Sequence, residues 1–189
     1  MHKQNGFTIV ELMVGLAMIG ILISIALPSF SDWTIRMRVD DEISQMHRLL
    51  LSTRNTAVNM ELPVTICPLD DSNVCVNDWT GEISVFTNVG VGNAAPDTTR
   101  FLPANDETLV RVKMPIKDGD DLSFPLASIV YQPTGQSGGF AGTFIYCPSG
   151  NVDKNRGLIV SLRGRVYATS DTDNDGIDEN RQGAELTCP

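Results

Sequence analysis

The apolar residues of this chain are concentrated near its start and become periodic further on. From Leu12 to Leu27, in the run LMVGLAMIGILISIAL, no side chain is charged. Counted from Phe7, a helix over this stretch reaches the length of about 20 residues that crosses a hydrocarbon core. Pro28-Ser29-Phe30 then interrupts the run with a residue that kinks or locally unwinds a helix while letting it resume. Ile35, Val39, Met46, Leu50, Thr53 and Ala57 recur at helical spacing against Arg36, Arg38, Asp40, Asp41, Arg48 and Arg54. Pro63 sets the end, because the residue before a proline leaves helical geometry. The pattern therefore predicts a membrane-spanning helix over 7–30 and an amphipathic helix over 31–63.

Past Pro63 the period changes to short β-type runs divided by Gly, Pro, Asn and Asp. They cover Val64 to Cys67, Ile83 to Thr87, Thr108 to Met114, Ser128 to Tyr131, Thr143 to Cys147, Gly157 to Leu162 and Arg165 to Ala168. Asn88 to Pro103 reads as loop and Lys117 to Asp121 as a charged turn. One long helix laid against an antiparallel sheet, with residues 64–189 as the β-rich domain, is an α+β fold.

At 189 residues there is room for one ordinary soluble domain beside the N-terminal helix. A net charge of -9 argues against a general coat for nucleic acid. Four cysteines, all beyond the apolar run, suit an oxidising compartment and two disulfides. Cys67 with Cys75 closes a short loop and Cys147 with Cys188 a longer one that holds the C-terminal segment. The chain-entropy relation assigns about 2.6 and about 3.9 kcal/mol to these loops. Four cysteines allow three connectivities, so this pairing is an expectation. A zinc site lacks its usual C-x-x-C pair.

Before the apolar run stands MHKQNG, a short basic leader ending in Gly6 and followed by Phe7-Thr8-Ile9-Val10-Glu11. A secretory signal places its small-residue cleavage site after the apolar region; here the small residue precedes it. This order resembles the type III signal of type IV prepilins and pseudopilins. The resemblance implies cleavage between Gly6 and Phe7 by a prepilin peptidase, removal of residues 1–6, N-methylation of Phe7, and a role for Glu11 in assembly. On physical grounds too, an ionised carboxylate at this position needs a partner, since it costs about 2.5 to 3.5 kcal/mol inside a membrane. The free amine of a neighbouring subunit's Phe7 is the expected one; a Glu11 that merely snorkels at headgroup level is the plainer alternative.

Later residues narrow the resemblance. Arg54-Asn55-x-Ala57, Val64-Thr65-Ile66-Cys67-Pro68, Cys75 to Trp79-Thr80-Gly81, Pro133-x-Gly135 and the block Gly157 to Arg165 are similar to the GspH/FimT family of minor pilins and minor pseudopilins. It implies a type IV pilin-like fold and a minor pilin that primes or caps pilus assembly. The partners it implies are other pilins or pseudopilins, and the location it implies is the bacterial inner membrane, followed by the pilus, periplasm or cell surface. A minor pseudopilin of a type II secretion system is the first alternative. A DNA-binding minor pilin of natural competence is the second.

Two constellations bear on ligands. Asp171, Asp173 and Asp175 alternate before Gly176, with Asp178 and Glu179 following. Such an oxygen-rich turn suits Ca²⁺, with Ile177 offering a carbonyl; an acidic solvated turn is the plainer reading. Lys154, Arg156, Arg163 and Arg165 are basic and suited to phosphate. DNA-binding FimT relatives carry G-R-x-R near this point, whereas Gly164-Arg165-Val166-Tyr167 keeps only the first arginine. DNA is accordingly not an expected partner. No nucleophile elbow, phosphate-binding glycine loop or zinc-protease motif occurs, so an enzyme is not expected either.

Overall fold

The computed structural model describes residues 8–189, with residues 25–29 described by their backbone alone. It opens on α1, Ile9–Met60, an α-helix of 52 residues. The local unwinding expected at Pro28 does not occur, and α-helical backbone runs through that position. Proline removes a single amide donor from the helical ladder, and long helical stretches on both sides hold the remainder. At the other end Glu61 turns into the left-handed region, with φ 56°, two residues before Pro63.

The chain forms two compact units, Met1–Arg38 and Val39–Pro189. In the first, every described side chain from Thr8 to Ser24 is exposed. Among the described residues no helix is long and apolar enough to cross a membrane; the expected span over 7–30 includes Phe7 and residues 25–29, whose side chains are outside that description.

The second unit is organised on the buried face of α1. Val39, Met46, Leu50, Thr53 and Ala57 are all buried, as their spacing requires, and Ile43 and Leu49 widen the stripe. Eight strands follow: β1 Val64–Pro68, β2 Ile83–Thr87, β3 Leu109–Lys113, β4 Asp121–Ser123, β5 Ile129–Tyr131, β6 Gly142–Cys147, β7 Arg156–Val160 and β8 Val166–Ala168. They make two four-stranded sheets, where the sequence suggested one. The first has the order β3-β2-β1-β5 and the second β4-β6-β7-β8. All pairings are antiparallel, with Ile66 facing Val85 on one side and Ile129 on the other.

Short β4 lies where the sequence pointed to a charged turn. The turn is real, with Asp120 N–H bonded to Lys117 carbonyl, but the strand begins directly after it because Leu122 pairs with Tyr146 of β6. Trp79, in the loop before β2, packs edge-on against Phe144 of β6 at 4.9 Å and against Phe124 at 5.7 Å. Its indole N–H donates to Leu126 carbonyl at 2.9 Å, which satisfies the one polar atom of a buried ring.

α1 is tied to both sheets by charge. Glu42 pairs with Lys113 of β3 at 2.8 Å, and Asp40 pairs with Arg156 of β7.

Candidate functional site

Gly6 and Phe7, the expected processing point, lie outside the described residues. Glu11 is described, and it sits in the first turn of α1. Its Oε2 accepts from Thr8 N–H at 3.0 Å and from Thr8 Oγ1 at 2.9 Å, while Thr8 Oγ1 accepts from Glu11 N–H at 3.2 Å. This is a reciprocal capping box, in which two amides that would otherwise lack partners at a helix start are satisfied. The T-x-x-E spacing of Thr8 and Glu11 announces it, although membrane cost alone directs attention only to charge. Within one chain, then, Glu11 organises the helix start. Its carboxylate is exposed, as is the Ile9, Val10, Leu12 and Met13 surface around it.

Motifs far apart in sequence meet at the end of α1. Arg54 Nε donates to Gly135 carbonyl at 2.8 Å. Gly135 has φ 76° and Gly164 φ 73°, conformations that favour glycine. A Cβ on Gly164 would lie 2.0 Å from the Gly135 carbonyl oxygen. Arg54, the Pro133-x-Gly135 turn and the Gly164 turn are therefore one structural knot, and its job is packing.

The four basic residues do not form one patch. Lys154 and Arg156 stand at the start of β7, Arg163 and Arg165 beyond its end. Lys154 Nζ donates to Asn151 Oδ1 at 3.2 Å, and Arg156 is engaged by Asp40. Arg163 and Arg165 instead share a shallow pocket with Tyr167 and Arg181. Arg181 lies over the Tyr167 ring at 5.0 Å; it joins this corner by tertiary folding, fourteen positions after that tyrosine, with no local motif to mark it.

In the acidic loop Asp171, Asp173, Asp175 and Glu179 each place a carboxylate oxygen within 4.8 Å of the others. Backbone amides aim them: Asp171 accepts from Asn174 and Gly176 at 2.7 and 2.9 Å, and Asp175 from Ile177 at 2.8 Å. Glu179 Oε2 takes both the amide and the hydroxyl of Thr172 at 2.8 Å. That amide, then the hydroxyl, hold the Glu179 carboxyl below its ordinary range. For Asp173 the Asp175 amide pulls the other way, but desolvation and the charges of Asp175 and Glu179 outweigh it and push the carboxyl up. Asp178 does not join them. It is buried, and its Oδ2 accepts from Thr169 Oγ1 at 2.6 Å, which fastens the loop to β7 through the Thr169–Gly157 contacts. Ile177 is placed in the loop by its own amide, donated to Asp175.

Both disulfides are formed, Cys67–Cys75 and Cys147–Cys188, with separations of 8 and 41 residues. The first ties β1 to the loop after it, and the second ties the C-terminal tail to β6.

A capped, exposed and mostly apolar helix start, an amphipathic continuation and two antiparallel sheets make up a fold of the type IV pilin class. Comparison with known proteins specifies the class further. The family model described as type II transport protein GspH matches residues 42–164, and the prokaryotic N-terminal methylation motif matches residues 1–27. The chain belongs to the GspH family. It is 29% identical over 120 residues to the type IV major fimbrial protein FimA of Dichelobacter nodosus, covering 62% of this chain and 67% of that one. A fimbrial protein of Pseudomonas aeruginosa is 45% identical over 49 residues, which is 26% of this chain and 32% of that protein. The chain thus spans two thirds of one of these relatives and about a third of the other. The crystal structure of the type IV minor pilin FimU of Pseudomonas aeruginosa superposes with a TM-score of 0.53 at 19% identity, over 73% of this chain and 92% of that one. That match establishes a common fold.

Proposed function

We propose that this protein is a minor type IV pilin, a structural subunit that primes or caps pilus assembly. A prepilin peptidase cuts after Gly6, the new N-terminal Phe7 is methylated, and α1 is held in the inner membrane until the subunit enters a filament. The observation that carries this reading is the exposure of every described side chain from Thr8 to Ser24. Ile9 is 78% and Leu22 68% exposed. Apolar surface of that extent marks a binding or membrane surface, and a lipid core followed by the helices of neighbouring subunits supplies both covers in turn. The methylation motif over residues 1–27 supports the processing step.

The capping box sets the test of Glu11. Glu11→Gln keeps an oxygen that can accept from Thr8 but loses the charge, whereas Glu11→Ala loses both. If Glu11 pairs with a neighbouring subunit's amine, both variants reach the membrane and both are depleted from sheared filaments. Normal incorporation of Glu11→Gln contradicts charge pairing and leaves Glu11 only its cap.

A second reading is favoured by the family description, type II transport. In that reading the same subunit serves a pseudopilus, and co-purification with secretion components instead of a surface pilus decides for it.

A further inference from the structure

The acidic loop between β8 and the C-terminal tail is not needed for packing α1 on the sheets, yet it contains the most concentrated charge in the chain. Asp171, Asp173 and Asp175 would by themselves describe a solvated turn. Glu179 changes that description. It is 6% exposed, one oxygen is taken by Thr172, and the other, Oε1, is shut off from water with no N–H or neutral hydroxyl donor; the side chain within hydrogen-bonding reach of this carboxyl beyond Thr172 is the Asp173 carboxyl, another acid. Its carboxylate lies against those of Asp173 and Asp171. A buried acceptor without a donor is costly, and here the groups in reach are further acceptors. A cation satisfies the buried oxygen and cancels the repulsion among its neighbours together.

The ligand chemistry selects the cation. The set contains oxygen only, with no imidazole or thiolate, which disfavours zinc. Carboxylates at alternating positions on a glycine turn, with Asp173 and Asp175 exposed to water, suit an ion that takes six to eight oxygens in irregular geometry. Magnesium demands near-ideal octahedral geometry and keeps its water.

We propose that residues 171–179 form a divalent-cation site of the calcium class, with Asp171, Asp173, Asp175 and Glu179 as carboxylate ligands. Occupation fixes the C-terminal tail. Glu179 bridges Ser170 on one side and Glu185 on the other, Leu186 N–H donates to Asp178 carbonyl at 2.9 Å, and Leu186 is buried. The loop therefore lies between β8 and the segment that Cys188 anchors to Cys147. This site is independent of whether the subunit serves a pilus or a pseudopilus.

The test uses the full chain in detergent, stripped of metal with chelator and titrated with calcium chloride or magnesium chloride alone. Calorimetry is expected to show one calcium per chain with a dissociation constant near the range of about 10⁻⁴–10⁻³ M typical of extracellular modules. Calcium at ten times that constant raises the folding equilibrium about 11-fold, read as a rise in melting temperature. Asp173 touches the Asp175 amide and the Glu179 carboxyl, and Asp173→Asn keeps an oxygen for the first and offers an amide donor to the second, so its metal-free form melts no lower than the parent while losing the calcium response. Glu179→Gln loses the response as well, and Asp173→Asn decides the question if Glu179→Gln does not fold. Absence of heat and shift at about 10 mM calcium, an undiminished response in Asp173→Asn, or an equal response to magnesium overturns the proposal.

Discussion

Single residues in this protein do two kinds of work, and the difference is a matter of satisfied atoms. Trp79 is buried with its N–H donated to Leu126 carbonyl, and Tyr146 is buried with its hydroxyl donated to Asp120. Tyr131 is equally buried, but its hydroxyl has no hydrogen-bond partner. Burial pushes its ionisation well above the usual tyrosine range, with the charge of Arg54 only partly opposing. Because the folded state holds the proton more tightly than the unfolded chain, this contribution to stability is complete below about pH 10 and declines as pH rises further. Tyr131→Phe is therefore expected to be neutral or to stabilise by about 1–3 kcal/mol at pH 7, and to flatten the alkaline decline. Chemical denaturation of both proteins at neutral pH and above pH 10 checks this; a loss of stability in Tyr131→Phe at pH 7 would show that the hydroxyl has a partner. The sequence identified Tyr131 as a strand residue but was silent on its hydroxyl, since satisfaction depends on atoms brought in from elsewhere. Glu11 and Glu179 follow the same rule. Their charge was legible, and so was the T-x-x-E spacing behind the capping box at Glu11, whereas the buried oxygen of Glu179 needed the folded backbone.

Elements were legible where local pattern and tertiary demand agree. The stripe from Val39 to Ala57 is helical in period and is buried as such, and β2 runs from Ile83 to Thr87 as its apolar content suggests. They were illegible where pairing overrides composition. β4 carries a buried leucine between a charged and a polar residue, and only its partner Tyr146 makes it a strand. The division into two sheets had no local mark either, because strand order is a property of contacts remote in sequence. The basic residues failed as a patch for a related reason: β7 separates them, and Asp40 claims Arg156. How α1 is fastened can be measured through Lys113 and Glu42, whose side chains are 7% and 17% exposed and 2.8 Å apart. Removing one partner of a buried pair leaves an uncompensated charge, so Lys113→Ala is expected to cost about 3–5 kcal/mol, while the double change Lys113→Met with Glu42→Leu recovers most of it. Equilibrium unfolding of the three proteins tests this. A single-variant loss under about 1 kcal/mol would place the pair among weakly contributing surface bridges.

Taken as a whole, the chain divides its chemistry by unit. The continuous exposed apolar stretch lies on the first, and packing, disulfides and the acidic loop lie on the second. A net charge of -9 over the whole chain discourages contact with nucleic acid, leaving Arg163, Arg165 and Arg181 as a local exception. The division fits a subunit that is first held by lipid and then by its neighbours. A subunit of that kind must be both processed and assembled. Mass spectrometry of the protein recovered from sheared, purified filaments tests both together. The predicted result is a mature chain that begins at N-methylated Phe7, lacks residues 1–6, and is present at low abundance beside a more abundant pilin. An intact Met1 leader, or the absence of the chain from every filament fraction while it accumulates in cells, would contradict the account.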